Sequence, residues 1–170
     1  YTNKGKINKS FIKFDKSIEN SFFEKDINHL YFKDSNFNLR YALDKKNYIS
    51  ASGAYSADDK NYQNYDFKND FFKETSNINL DFEFAEKLSV NFINYKKDYD
   101  KVAKIFLDIQ AKKNFINLKE LKYTESKNLI LIEKLKINKK DIISLKRIKV
   151  KTYDKTELRN DFNLDFAKKI

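Results

Sequence analysis

The chain has 170 residues, with 35 Lys+Arg against 25 Asp+Glu for a formal charge of +10, two glycines, and no proline, cysteine, methionine or tryptophan. The absence of cysteine excludes a disulfide scaffold, a thiolate zinc site and a thiol nucleophile, and no apolar run approaches the roughly 20 residues a spanning helix needs. Only Arg40, Arg147 and Arg159 are arginine. Lysine therefore carries the charge, alongside abundant Asn, Ile, Phe and Tyr, all residues with AT-rich codons. The +10 reads as base composition before it reads as a nucleic-acid footprint.

In chain order, residues 1–28 are polar and irregular, with Phe11, Ile12, Phe14, Phe22 and Phe23 as apolar points. Phe37, Leu39 and Tyr41 alternate with polar residues, and a turn at Asp44-Lys45-Lys46-Asn47 leads into Tyr48–Gly53, predicting a hairpin. Residues 55–75 are rich in Asp, Asn, Lys and Tyr and read as a long loop. Ile78, Leu80, Phe82 and Phe84 then alternate without a break, the cleanest strand signal in the chain.

Residues 85–112 admit two readings. Leu88, Phe92, Tyr95, Tyr99, Val102, Phe106 and Ile109 fall at helical spacing. Alternatively, Leu88, Val90 and Phe92, a turn at Lys96-Lys97-Asp98, and Ile105, Leu107 and Ile109 make two strands. The helix leaves Val90, Ile93, Ile105 and Leu107 off its face and has a middle poor in helix formers, so the strands are preferred.

A nine-residue frame then recurs three times, at 115–123, 129–137 and 142–150. Each copy reads apolar, apolar, variable, apolar, charged, charged, apolar, basic, apolar, with polar breaks at 124–128 and 138–141. So short a period suits a meander of strands. Within a copy, Ile116 and Leu118 share one strand face, as do Leu121 and Tyr123, but the two pairs are out of phase. A bulge at the charged pair (Lys119-Glu120, Glu133-Lys134, Lys146-Arg147) brings both pairs to one face and bends the sheet. After a turn at Tyr153-Asp154-Lys155, Phe162, Leu164 and Phe166 form a last strand. The expected fold is mainly β: an antiparallel meander forming a curved, elongated sheet or groove, in which a helix around 85–112 is the lesser reading. Two parts are expected, an irregular 1–76 with one or two hairpins and a repetitive sheet over 77–170.

No constellation names a reaction. His29 stands alone, more in keeping with a packed or surface residue than a ligand or base. Asp58-Asp59-Lys60-Asn61 and Asp98-Tyr99-Asp100 lack the Gly and terminal Glu of a calcium loop. Gly5 and Gly53 are too far apart for a phosphate cradle, and no nucleophile-elbow pattern surrounds Ser52-Gly53. An enzyme, a cofactor and a metal are therefore not expected. Lys119, Lys122 and Tyr123, and again Lys149, Lys151 and Tyr153, interleave base and aromatic as RNA-binding sheets do. The repeat positions are aliphatic, however, and these lysines fit a solvated face that discourages edge pairing, so no nucleic-acid partner is expected.

What remains is the apolar face. Ile116, Leu118, Leu121, Tyr123, Ile130, Ile132, Leu135, Ile137, Ile143, Leu145, Ile148 and Val150 line one side of the repeat sheet, extended by Ile78, Leu80, Phe82, Phe84, Phe162, Leu164 and Phe166. Such a face is either an ordinary core under a second layer or an open trough for acyl chains.

The serial units Leu118–Tyr123, Ile132–Ile137 and Leu145–Val150, with the flanking strands at 78–84 and 162–166, resemble the AsmA-like superfamily of bacterial envelope proteins (the TamB/YhdP type) over about 78–170. The resemblance implies an inner-membrane-anchored periplasmic protein of a Gram-negative envelope. Its hydrophobic β-groove would carry phospholipid or another acyl-chain ligand in lipid transport or outer-membrane maintenance, with no catalytic residues. It also implies a membrane anchor outside this segment, in keeping with a methionine-free chain opening at Tyr1, which reads as an internal piece. The alternative is a purely structural or adhesive β-rich segment of a large surface protein.

Overall fold

Alternation of apolar and polar residues at period two lets a strand dry one face and wet the other, and this chain follows that rule nearly throughout. The computed structural model describes residues 1–18, 27–138, 141–154 and 157–166. Its strands are β1 (Thr2–Ile18), β2 (Ile27–Arg40), β3 (Asn47–Ser56), β4 (Gln63–Phe72), β5 (Thr75–Phe84), β6 (Leu88–Val90), β7 (Tyr95–Lys97), β8 (Ala103–Lys112), β9 (Phe115–Glu125), β10 (Asn128–Ile137), β11 (Ile142–Ser144), β12 (Arg147–Asp154) and β13 (Glu157–Asp165).

Eleven strands form one antiparallel meander in the order β1-β2-β3-β4-β5-β8-β9-β10-β12-β13, with β11 beside β10. β1 and β13 do not pair with each other, so the sheet stays open rather than closing into a barrel. The fold is mainly β, as the sequence predicts, and the three frames pair in sequence order: β9 with β10, and β10 with β11 and β12.

Several expectations are corrected. The stretch expected to be irregular at the N-terminus is the 17-residue β1, and the loop expected over 55–75 contains β4, paired along its length with β3 and β5. The division at 76/77 has no counterpart: β5 starts at Thr75 and carries the sheet across it. Phe22 and Phe23 lie outside the described residues. No α-helix occurs at 85–112. A single 3-10 turn, Asn91–Ile93, separates β6 from β7, and its left-handed cap is Asn94 at φ 48°. Two strands do flank a turn here, but the turn lies at 91–94 and Lys96-Lys97 belong to β7. The turn expected at 153–155 lies partly outside the described residues, and Asp154 is paired with Glu157.

The predicted bulge is present in the first frame. Asp108 opposes Glu120 while Ile109 opposes Leu118, so β9 carries one residue more than β8 at Lys119-Glu120. Leu121 and Leu118 thereby face Leu107 and Ile109, which share one side of β8. The second frame matches it: Ile132 opposes Leu121 and Leu135 opposes Leu118, with Lys134 at φ 54° taking up the odd residue. In the third frame the chain breaks instead. Leu145-Lys146 leave the ladder between β11 and β12, and Lys146 N–H donates to the Glu133 carbonyl (3.2 Å) while its own carbonyl accepts from Phe166 N–H (2.8 Å). A further bulge in β2 at Asp34-Ser35 sets two residues against Gly53. A Cβ on Gly53 would lie 2.7 Å from the Ser35 Cα, so glycine is required there for close approach.

The core is small and sits at one end of one face. Among the described residues its buried apolar members are Phe84, Val90, Ile93, Tyr95, Ala103, Tyr123 and Val150.

Candidate functional site

Residues directly opposite in an antiparallel ladder point to the same side, so the register alone assembles the faces. One row reads Phe162, Val150, Ile130, Tyr123, Ile105, Phe82, Tyr65 and Gly53 from β13 to β3. The next reads Leu164, Ile148, Ile132, Leu121, Leu107, Leu80, Phe67, Ala51, Phe37 and Gly5. A third runs Leu135, Leu118, Ile109, Ile78, Asn69, Ile49, Leu39, and a fourth Ile137, Ile116, Ala111, Ser76, Phe71. The bulges keep all four rows on one side. At about 4.8 Å between strands, ten strands make a face on the order of 45 Å across.

The other side is charged. It carries cross-strand pairs Lys119–Asp108 (2.9 Å), Arg147–Glu133 (3.0 Å), Arg147–Asp165 (2.7 Å) and Lys151–Asp161 (3.5 Å). Apolar residues on this side include Phe106 and Leu131, opposite Lys122, Leu129, opposite Thr124, and Phe115, opposite Lys112.

No second sheet covers the apolar side among the described residues. Its one cover is the β6–β7 hairpin, which leaves β5, folds over the end of the face and returns into β8. Val90, Ile93 and Tyr95 pack on Phe84, Ala103, Tyr123 and Val150, with Phe82, Leu88, Ile105, Ile130, Ile148 and Phe162 partly buried around them. Polar groups fasten it. The Tyr95 hydroxyl meets the Tyr123 hydroxyl at 2.7 Å and donates to Glu125 Oε2 at 3.0 Å, and Asn160 Nδ2 donates to the Ile93 carbonyl at 2.8 Å. The buried Lys97 ammonium donates to the carbonyls of Ala85, Glu86 and Asp98 at 2.7–3.0 Å, which uses all three of its donors.

Ionisation follows these surroundings. Burial pushes the Tyr95 phenol well above its ordinary value, helped by Tyr123 and Glu125, and burial raises Tyr123 to about 12. Burial lowers Lys97. It pushes Glu125 up, but hydrogen bonds from Ser126, Asn128 and Tyr95 outweigh it and hold that carboxyl below its usual range. The Lys97 ammonium and the two phenols have their hydrogen bonds made, whereas among the described residues the buried Glu125 Oε1 has no hydrogen-bond partner. Among the described residues no cluster of His, Asp and Glu could hold a metal ion, and no helix is long and apolar enough to cross a membrane.

The structure brings most of the predicted face together. Ile78, Leu80, Phe82, Leu118, Leu121, Ile130, Ile132, Leu135, Ile137 and Ile148 lie in the rows and are half-buried. Phe84, Tyr123 and Val150 are dry beneath the hairpin, while Ile116 is 43% and Leu164 47% exposed. Three residues depart from the pattern: Leu145 lies in the strand break, Ile143 in the register shift where Ile137 meets Ile142, and Phe166 just past β13. At the uncovered end a hollow of about 540 Å³ is lined by Phe71, Ser76 and Ala111, with Lys73, Lys112 and Lys113 at its margin.

Sequence reading missed the N-terminal share of the face, notably Tyr65, Phe67 and Phe71, although these alternate with Asp66, Lys68 and Asp70. It also missed the aromatic chain Phe32, Tyr65, Tyr55 and Phe82, whose successive ring centroids lie 5.6–6.3 Å apart. No family model, curated protein or solved structure matches the chain.

Proposed function

We propose that the apolar side of this sheet is an open trough that carries acyl chains, in the manner of the AsmA-like envelope proteins the repeat region resembles, in an anchored periplasmic protein concerned with phospholipid transport or outer-membrane maintenance. The observation that supports this reading is the lack of a covering layer among the described residues. Four apolar rows run across the sheet, and only one end is closed. A sheet face of this kind left in water is unfavourable at about 25 cal/mol per Å², and contiguous exposed apolar patches mark interaction sites. Lipid tails suit such a face because they need no hydrogen bonds from it, and the face offers few. The bulges bend the strands at mid-length, which favours a trough over a flat slab.

The test is photo-crosslinking of the folded chain to phospholipid in the parent and in Leu121→Asp and Leu135→Asp. The expected result is crosslinking in the parent and its loss in variants that keep the β spectrum. A folded parent that captures no lipid overturns the assignment and leaves the structural or adhesive role.

A further inference from the structure

We propose that the two free edges of the sheet join head to tail, β13 of one copy of this chain taking β1 of another as its next antiparallel strand. The proposal does not depend on the lipid reading. Among the described residues β1 pairs only with β2 and β13 only with β12, so each presents a row of unpaired backbone groups, a template for strand addition.

The edges are oppositely charged. β1 carries Lys4, Lys6, Lys9 and Lys13 on its polar side and no carboxylate in its first twelve residues, whereas β13 carries Glu157, Asp161 and Asp165. The one base on β13, Arg159, is taken up by Asp154 and Glu157 at 3.1 and 3.3 Å. Pairing β1 with β1 would set lysine against lysine, and β13 with β13 carboxylate against carboxylate, each unfavourable across a ladder. Unlike edges attract.

The polar face already shows the pattern that would continue. Glu133, Arg147 and Asp165 alternate acid, base, acid across β10, β12 and β13, and the ladder stops at Asp165, whose carboxylate has lone pairs to spare. The register that keeps inward residues inward sets Phe162 opposite Ile7 and Leu164 opposite Gly5, which places Lys4 opposite Asp165. Lys6 and Lys9 already face Asp34 and Asp59, so Lys4 is the residue that extends the ladder. The same register covers Leu164 and Ile7, 47% and 37% exposed in the single chain.

Direction agrees as well. β1 and β13 are first and tenth in an antiparallel row and run in opposite senses, so joined copies keep the same orientation. The contact is therefore heterologous and open-ended, and the apolar rows run on from one copy into the next.

Because the chain has no cysteine, single cysteines report the contact directly. In a mixture of Lys6→Cys and Asn163→Cys chains, the 6–163 disulfide should form well ahead of either homotypic one. Sedimentation at increasing concentration should show mass growing beyond the monomer. Asp161→Lys/Asp165→Lys should weaken this roughly tenfold or more, with association returning on mixing with Lys4→Glu/Lys6→Glu. Circular dichroism establishes that each variant is folded. A parent that stays monomeric at its highest soluble concentration, or homotypic disulfides forming as fast as the mixed one, overturns the proposal.

Discussion

The two ends of the apolar face have similar side chains and opposite fates. Beneath the hairpin, Val150 and Ala103 are fully buried and Tyr123 nearly so, whereas further along the same strands Ile116 is 43% exposed. The residue types do not cause the difference, since Ile, Leu and Phe populate both. Topology does: a meander supplies neighbours to left and right but none above, so an apolar residue of this face becomes dry only where the chain doubles back over it. Among the described residues it does so between β5 and β8. Core residues in this protein are thus defined by a hairpin of modest length, and the rest of the face keeps its apolar character without the packing.

A carboxylate should separate the two ends most sharply. Val150→Asp puts an unpaired acid into a dry site and should cost about 4 kcal/mol or more, enough to abolish the native fold. Leu135→Asp at the open end should cost about 1–2 kcal/mol. Denaturant unfolding compares them, and equal losses would mean the open end is covered in solution.

The two glycines give a second contrast. Gly53→Ala drives a Cβ into the Ser35 backbone, whereas Gly5→Ala meets only the far edge of the Phe37 ring, at 2.6 Å. The first should lose about 1–3 kcal/mol as an overpacked site that cannot give way. The second should lose under about 1 kcal/mol because the ring can swing toward open space. Matching thermal midpoints for the two would break the argument.

Removing the Tyr95 hydroxyl tests the fastening of the hairpin. Tyr95→Phe leaves Tyr123 and Glu125 short of a partner and should cost about 1–2 kcal/mol. Hydrogen-exchange protection should fall at 88–97 and not in β3 and β4.

The smallest effect is alkaline. Tyr123 is held protonated to about 12 by burial, while in the unfolded chain it ionises near 10. A raised folded value stabilises the fold below the unfolded pKa, and that contribution is lost as pH rises from 10 through 12. Stability should decline over that window, and less steeply in Tyr123→Phe. An unchanged slope would place Tyr123 in contact with water.

The repeat region was legible because aliphatic residues dominate it: Ile, Leu and Val at fixed offsets from a charged pair leave few alternatives to paired strands, and the out-of-phase pairs required a bulge. β4 was obscure for the opposite reason. Tyr65, Phe67 and Phe71 alternate as well as any strand, but the Asp, Asn and Lys between them are what loops use, and with no glycine or proline in that stretch nothing marks where a loop would stop. The left-handed turn positions fell to Asp44, Asp59, Lys73, Asn94 and Ser126 instead. The hairpin was only half legible. Leu88 and Val90 read as a strand, but the grouping of Ile93, Tyr95 and Tyr123 depends on contacts spanning up to 67 residues, as between Asn160 and Ile93, and local spacing does not encode them.

That reach has a consequence for cooperativity. Almost every strand here is bonded to the strands next to it in sequence, so the molecule approximates a linear array in which each element is stabilised by its nearest neighbours. The hairpin is the exception, tying β5 and β8 through β9 to β13 into one block. Unfolding should therefore proceed in two stages, β1 to β4 loosening first as a fraying row while the tied block melts later as a unit. Calorimetry would record this as a van't Hoff enthalpy below the calorimetric one.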